Sequence, residues 1–479
     1  MIHRCCILFC HLAMTANLGA QEPPEGGVHM TIRPAAAPVP ALKYEFLPEY
    51  RDQISENAVI HYHRAGLLAG KRLQFGPDDP PAKWLETPAK DLPKQEVRLF
   101  IDREKNVFRE LELAARCDHC DWQLRERIRT DSLGFLLPDI QQLREFALLL
   151  RLRASLEIAD GRFADAVHTL RVGFAMAKHA NQSPSLIAAL VGIAIANQMA
   201  DQVEALLQAS GAPNLYWALT DLHRPFIDLR MPAQSERMIV SSLVSPLLEG
   251  GSDARTTPLS IQQIQERLEH FMGTPPYQRT EFRLFLIAVT AKAYPEAKRF
   301  LLSQGLSAET VEAMPHIQVV FLFSLAEYDR LLDEMMKWQG LPYWQARPGL
   351  EKSMDAVRED KIKAGDLERI PLAAYLLPAM QRVFLASSQL DRKLAALRCI
   401  EAIRLYAAGH DDKLPAALNE ITEVPLPIDP ITGKDFEYKM ADGKAVLSAP
   451  PPPGEPSRPG DSSKQRPGNY LKYELTLAK

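Results

Sequence analysis

The stretch Gln141–Ala180, QQLREFALLLRLRASLEIADGRFADAVHTLRVGFAMAKHA, decides the fold. On a helix from Gln141 to Ala159, the residues Leu143, Phe146, Ala147, Leu150, Ala154 and Ile158 fall at the spacing of one apolar face. Leu148, Leu152, Leu156 and Ala159 form a second stripe, so this helix needs neighbours on two sides. The turn Asp160-Gly161-Arg162 breaks it, and Phe163, Ala166, Val167, Leu170, Phe174 and Ala177 begin a second amphipathic helix. An αα-hairpin with both layers still uncovered predicts a multi-helix body of layered pairs.

The pattern extends outward in both directions. Upstream, Glu56–Leu73 reads as helix, followed by a proline-bearing loop over Gly76–Pro93. Downstream, SPSLIAALVGIAIANQMADQVEALLQ is opened by Ser183-Pro184 and closed by Gly211-Ala212-Pro213. Further helices are expected at Pro213–Leu222, Ile261–Phe271, Thr280–Ala293, Pro295–Gln304, Ala308–Glu312 and Gln318–Lys337. Strand-like alternation is nearly absent from 43–385, which is read as an all-α helical domain.

The hairpin resembles a tetratricopeptide repeat. Leu150 and Ala154 match its first helix, Gly161 and Phe163 its turn, and Ala166, Leu170 and Gly173 its second helix, whereas Glu157 stands where a large apolar residue is usual. No period of ~34 residues recurs on either side, so the reading is one repeat-like hairpin within an irregular bundle.

At 479 residues, 46% hydrophobic and 24% charged, the chain is long enough for two or three domains with their own cores. Its 56 basic and 60 acidic residues are interspersed, giving a net charge of −4 and no basic block for phosphates, so nucleic acid is excluded as an expected partner. Residues 1–20 follow the grammar of a signal peptide: Arg4, an apolar run from Cys5 to Met14, then small and polar residues to Ala20. Lipidation at Cys10 is the alternative, and the bulky Phe9 before it suits that processing poorly. The other apolar runs, Ser185–Ala196 and Ile317–Ala326, are about half of a ~20-residue span, so no transmembrane helix is expected. Residues 21–42, rich in Pro, Gly and Ala, read as a flexible or extended leader.

The segment 386–479 reads as a small α+β module: a helix to about Ala408, then strands at Phe436–Met440, Ala445–Ser448 and Tyr470–Leu477 in a three-stranded antiparallel sheet. A Pro, Gly and Ser loop at about 449–469 is expected to be disordered. The module resembles the soluble head of type IV pilins and type II secretion pseudopilins. The matching residues are Tyr406-Ala407-Ala408, Leu414-Pro415 with Leu418, Pro427-Ile428-Asp429-Pro430, Gly433-Lys434, Phe436 and Tyr438. A pilin's filament-building helix is apolar; here it carries Asp391, Arg392, Lys393, Arg398, Glu401 and Arg404, which argues against pilin-type assembly. The layout as a whole is similar to uncharacterised exported proteins of planctomycete-type bacteria, a resemblance that implies export and architecture but no activity.

Motifs for chemistry are scarce. Gly66 and Gly70 with Lys71 and Arg72 have the wrong spacing and the wrong last residue for a phosphate loop, and read as a helix end with a glycine stop. Gly-x-Ser-x-Gly and His-Glu-x-x-His are absent. His61 and His63 diverge by about 200° on a helix and are not placed to share a metal. Asp78-Asp79 reads as a solvated turn, while Asp411, Asp412 and Asp429 stand as a calcium candidate by analogy with some pseudopilin heads. The aromatic cluster from Trp338 to Trp344, and the pair Tyr216-Trp217, either line a groove for a peptide or sugar or anchor a loop onto helices.

Cys117-Asp118-His119-Cys120 has three readings: two inert thiols near a helix end, a disulfide formed after export, or a metal or redox site. Loss of Cys5, Cys6 and Cys10 with the signal peptide leaves these two and Cys399, too few for a disulfide framework. No catalytic, cofactor-binding or metal residue is assigned, and no cofactor is expected. The sequence favours a non-enzymatic scaffold or protein-interaction protein, periplasmic or extracellular, with an unidentified protein or envelope-polymer partner and no set oligomeric state. The alternatives are an accessory component of a secretion or surface-assembly system that uses the pilin-head-like tail, and an enzyme whose site is not readable from motifs.

Overall fold

A computed structural model describes residues 27–73, 76, 78–123, 137–244, 258, 260–264, 266, 279–441, 443–449 and 471–478. Its helices are α1 (Ala58–Ala69), α2 (Pro80–Glu86), α3 (Lys94–Arg103), α4 (Lys105–Arg116), α5 (Leu137–Ala159), α6 (Phe163–Asn181) and α7 (Leu186–Gln208). They continue with α8 (Tyr216–Thr220), α9 (Arg230–Val244), α10 (Arg279–Ser303), α11 (Ala308–Ala313), α12 (His316–Met336), α13 (Tyr343–Gly365) and α14 (Leu372–Gly409). The strands are β1 (Val28–Ile32), β2 (Ile54–Asn57), β3 (Cys117–His119), β4 (Glu437–Ala441), β5 (Lys444–Ala449) and β6 (Leu471–Leu477). The expected signal peptide at 1–20, most of the loop expected at 449–469, and residues 267–271 of an expected helix lie outside the described residues.

The two stripes of α5 meet two different cores. Leu143, Phe146, Ala147, Leu150, Ala154 and Ile158 face the main core, while Leu152 and Leu156 close a small satellite core with Leu92 and Val97. The loop expected at Gly76–Pro93 therefore holds a short helix, α2, whose Trp84 and Leu85 cover that second face. Glu157, the misfit of the repeat pattern, is buried and satisfied: Arg153 Nε donates to it at 2.9 Å and the Thr169 hydroxyl at 2.7 Å.

Helix α7 is the axis of the body, packed by α5, α6, α9 and α14. It is long and apolar enough to cross a membrane by composition, yet 78% of its most apolar window is buried inside the fold. Close approach to α6 depends on Gly192, where an added Cβ would lie 2.7 Å from the Ala177 carbonyl oxygen. Helix α10 runs unbroken through Pro295, joining two helices expected to be separate, because Ala293, Ala297 and Leu301 stay on one buried face.

The sheet corrects the three-stranded antiparallel expectation. It is four-stranded and mixed, in the order β1-β6-β5-β4, with β4–β5 and β5–β6 antiparallel and β1 parallel to β6. The extra strand comes from the Pro, Gly and Ala-rich leader, where Met30 and Ile32 alternate into the core while their neighbours face out. Arg404 pins the chain just beyond it: buried beside Glu401, its guanidinium donates to the carbonyls of Arg33, Ala212 and Pro213.

Helix α14 has 38 residues, about 57 Å at 1.5 Å per residue, and runs through the expected boundary at 385/386. The C-terminal sheet packs on α7, through β1 and through the Tyr473 hydroxyl on Glu204, and the middle of α14 faces the same helix, where Lys393 pairs with Asp201 and Glu204.

Candidate functional site

A cleft of about 540 Å³ opens where α14 passes between the body and the C-terminal turn. This is within the range of pockets that hold small ligands or short peptide segments. One face of α14 forms its floor: Phe384, Ser387, Asp391, Leu394, Ala395 and Arg398 recur every three or four residues. The segment from His223 to Arg230 makes one wall, the aromatic connection from Trp338 to Trp344 the other, and Pro427, Ile428 and Pro430 close one end.

Each wall is fixed by specific contacts. The Ser387 hydroxyl donates to the Ile227 carbonyl at 3.0 Å, and the Phe226 N–H donates to Asp391 Oδ1 at 2.9 Å. Trp338 packs across Gly349, where a Cβ would meet its ring at 2.2 Å. Trp344 packs across Gly433, which also needs its φ of +69°, so only glycine satisfies both conditions. The aromatic cluster thus both anchors the connection and lines a groove. Trp344 remains 38% exposed, Leu341 45% and Ile428 49%, which gives the mouth an apolar rim.

The charges are unevenly matched. Of the described arginines that are buried, Arg369, Arg392 and Arg404 each pair with a carboxylate. Arg398, 6% exposed, pairs with none among the described residues; its guanidinium lies over the Tyr216 ring at 5.5 Å, and its Nε has no acceptor. Asp391 sits two turns earlier on the same face. Burial pushes its carboxyl up to about 7, against the opposing pull of the Phe226 N–H and Arg224. Beyond Phe226, no described residue donates to it.

The residues singled out by sequence are scattered. His61 is buried against Glu110 at 2.8 Å and Glu56 at 3.4 Å, whereas His63 meets the edge of Trp122. Gly70 ends α1 with a φ of +58°. Asp429 is fully buried and bidentate with Arg392, while Asp411 and Asp412 are exposed, so the calcium candidate is not assembled. Among the described residues, no group of three or more His, Cys, Asp or Glu side chains could hold a metal ion.

Cys117, Cys120 and Cys399 are free, buried thiols. Cys117 and Cys120 cover a polar chain in which the Tyr62 hydroxyl meets His179 Nδ1 at 2.8 Å and His179 Nε2 meets the Cys117 carbonyl at 3.0 Å. A carbonyl only accepts, so Nε2 carries the proton and Nδ1 accepts from the tyrosine. Asp391 and Arg398, the charged pair of the cleft, were legible as helix charges but not as a site; their seven-residue spacing is the signal.

Comparison with protein-family models, with curated proteins and with solved structures gives no match for this chain.

Proposed function

We propose that the chain is an exported, non-enzymatic binding protein of the bacterial envelope that holds a protein or envelope-polymer partner in the cleft beside α14. The observation that carries this reading is Arg398: a buried arginine with no counter-charge among the described residues, lining an apolar-rimmed cleft that Trp344 leaves open. An uncompensated buried charge is costly, and a ligand that brings the missing charge recovers that cost. The walls supply apolar area and the floor supplies a few convergent polar groups, the usual division of labour in a binding site. The C-terminal module acts here as one end of the cleft, through Pro427, Ile428 and Pro430, and not as a filament subunit.

The test is retention of envelope material by the full chain, compared with Trp344→Ala and Leu341→Asp variants whose melting curves match the wild type. Cleft-dependent binding predicts that both variants lose the partner. Equal retention by wild type and variants would place binding elsewhere and remove the reading.

A further inference from the structure

We infer that the cleft recognises the free C-terminal carboxylate of an extended peptide with apolar last residues, the carboxylate pairing with Arg398 and a backbone N–H upstream reaching Asp391. This rests on the reading of the cleft as a ligand site and adds the chemistry of its ligand.

Arg398 sets the first requirement. Its guanidinium is planar and matches a carboxylate with two parallel hydrogen bonds, and the other buried arginines among the described residues already have a carboxylate partner. Asp391 is not its partner: its one described donor is the Phe226 N–H, and seven residues of helix set the two backbone positions about 10.5 Å apart along the axis. It instead sets the second requirement, a donor at that distance. Extended chain advances about 3.3 Å per residue, so a C-terminal carboxylate at Arg398 brings an N–H about three residues upstream to Asp391. Between the two anchors the floor is Leu394 and Ala395, and the rim is Trp344, Leu341 and Ile428, which suits apolar side chains on the last residues. An alkyl carboxylate of lipid origin would satisfy Arg398 but leave Asp391 without a donor.

The experiment is calorimetric titration of the full chain with N-acetyl-Leu-Leu-Phe as the free acid and as the C-terminal amide, with decanoate as a third probe. The expected result is binding of the free acid at least ~10-fold tighter than the amide, a preference abolished by Arg398→Gln. Arg398→Lys, which keeps the charge but not the fork, retains part of it. The comparison of acid with amide needs no variant, so a misfolded substitution does not protect the proposal. Equal affinity for acid and amide overturns it, as does decanoate binding more tightly than the peptide acid, or no binding of the peptide acid at all. In each of those cases envelope retention that still depends on Trp344 leaves the cleft standing as the binding site, whereas retention indifferent to Trp344 removes both.

Discussion

Arg392 and Asp429 form a buried bidentate ion pair, Nε to Oδ1 at 2.9 Å and Nη2 to Oδ2 at 2.6 Å, that locks the middle of α14 to the turn of the C-terminal module. The remaining lone pairs of the carboxylate accept the Ile431 N–H at 2.9 Å and the Thr432 hydroxyl at 2.7 Å. Removing the carboxylate leaves a guanidinium in the core without an anion. Asp429→Ala is expected to cost about 3–5 kcal/mol in urea unfolding, and Arg392→Met in the same background to recover part of it. Calcium at millimolar concentration leaves the wild-type melting temperature unchanged, since both oxygens of Asp429 are already taken.

Stability depends on pH in two opposed ways. Burial pushes the His179 imidazole down to about 4, so the folded chain keeps it neutral while the unfolded chain protonates it near its ordinary value of 6.5. The unfolded state binds more protons in that window, and stability falls as pH drops from about 6.5 to about 4, by up to about 3 kcal/mol. Glu236 has the reverse sign. Burial raises its carboxyl from 4.5 to about 7, so the folded chain holds a proton that the unfolded chain releases, and its contribution declines as pH rises through that window. Glu236→Gln removes the second slope only, so its stability relative to wild type rises between pH 5 and pH 8, read from urea midpoints at each pH.

The thiols are expected to be inert in the folded state. Burial pushes the Cys117 thiol up to about 11, helped by Glu56 and Asp118, and burial raises Cys120 and Cys399 as well. At pH 8 only about one Cys117 in a thousand is then thiolate, the form that attacks disulfide reagents. A chromogenic disulfide reagent should react with these thiols only after denaturant is added; rapid reaction of the native chain would contradict the burial.

How far the sequence reached depended on whether a signal was local. The two stripes of α5 are local, and each found its core. Strand β1 is short and embedded in Pro, Gly and Ala, so its alternation of Val28, Met30 and Ile32 carries little weight until β6, more than 400 residues later, supplies its partner. Helix α13 was hidden by Pro342 before it and Pro348 inside it: Pro342 at the N-cap removes an N–H that has no acceptor anyway, whereas Pro348 in the second turn forfeits a bond to the Trp344 carbonyl, and the helix continues past it on its other bonds. In the cleft, the aromatic connection was visible because its composition is unusual. Arg398 was not, since a charge on a helix reads as a solvated face, and only the packing of Tyr216 and the C-terminal turn around α14 buries it.

The leader strand gives the next expectation. Ile32 is fully buried in the sheet, and β1 is held by its pairing with β6, by packing on α7 and by the contacts beyond it, including the Ala35 N–H donating to the Arg404 carbonyl at 3.1 Å. Ile32→Ala should cost about 2–4 kcal/mol, as large-to-small changes in cores do, while the exposed Thr31→Ala should cost under about 1 kcal/mol. Equal effects at the two positions would mean that the strand does not pack as described.

Gly433 joins the stability of the turn to the shape of the cleft. Its φ of +69° lies in the region that disfavours any side chain, and a Cβ would sit 2.5 Å from Trp344 Cδ2. The turn itself is closed by the Gly433 N–H on the Asp429 carbonyl and the Asp429 N–H on the Lys434 carbonyl, both at 2.8 Å. Gly433→Ala therefore has two costs: about 1 kcal/mol or more of backbone strain, and a displacement of the Trp344 indole. Trp344→Ala in the Gly433→Ala background relieves the second cost and leaves the first, so the double mutant should be less destabilised than the sum of the singles. Because Trp344 lines the mouth of the cleft, Gly433→Ala should also weaken ligand retention without touching Arg398 or Asp391. Retention unchanged by a displaced Trp344 would show that the aromatic wall is an anchor alone.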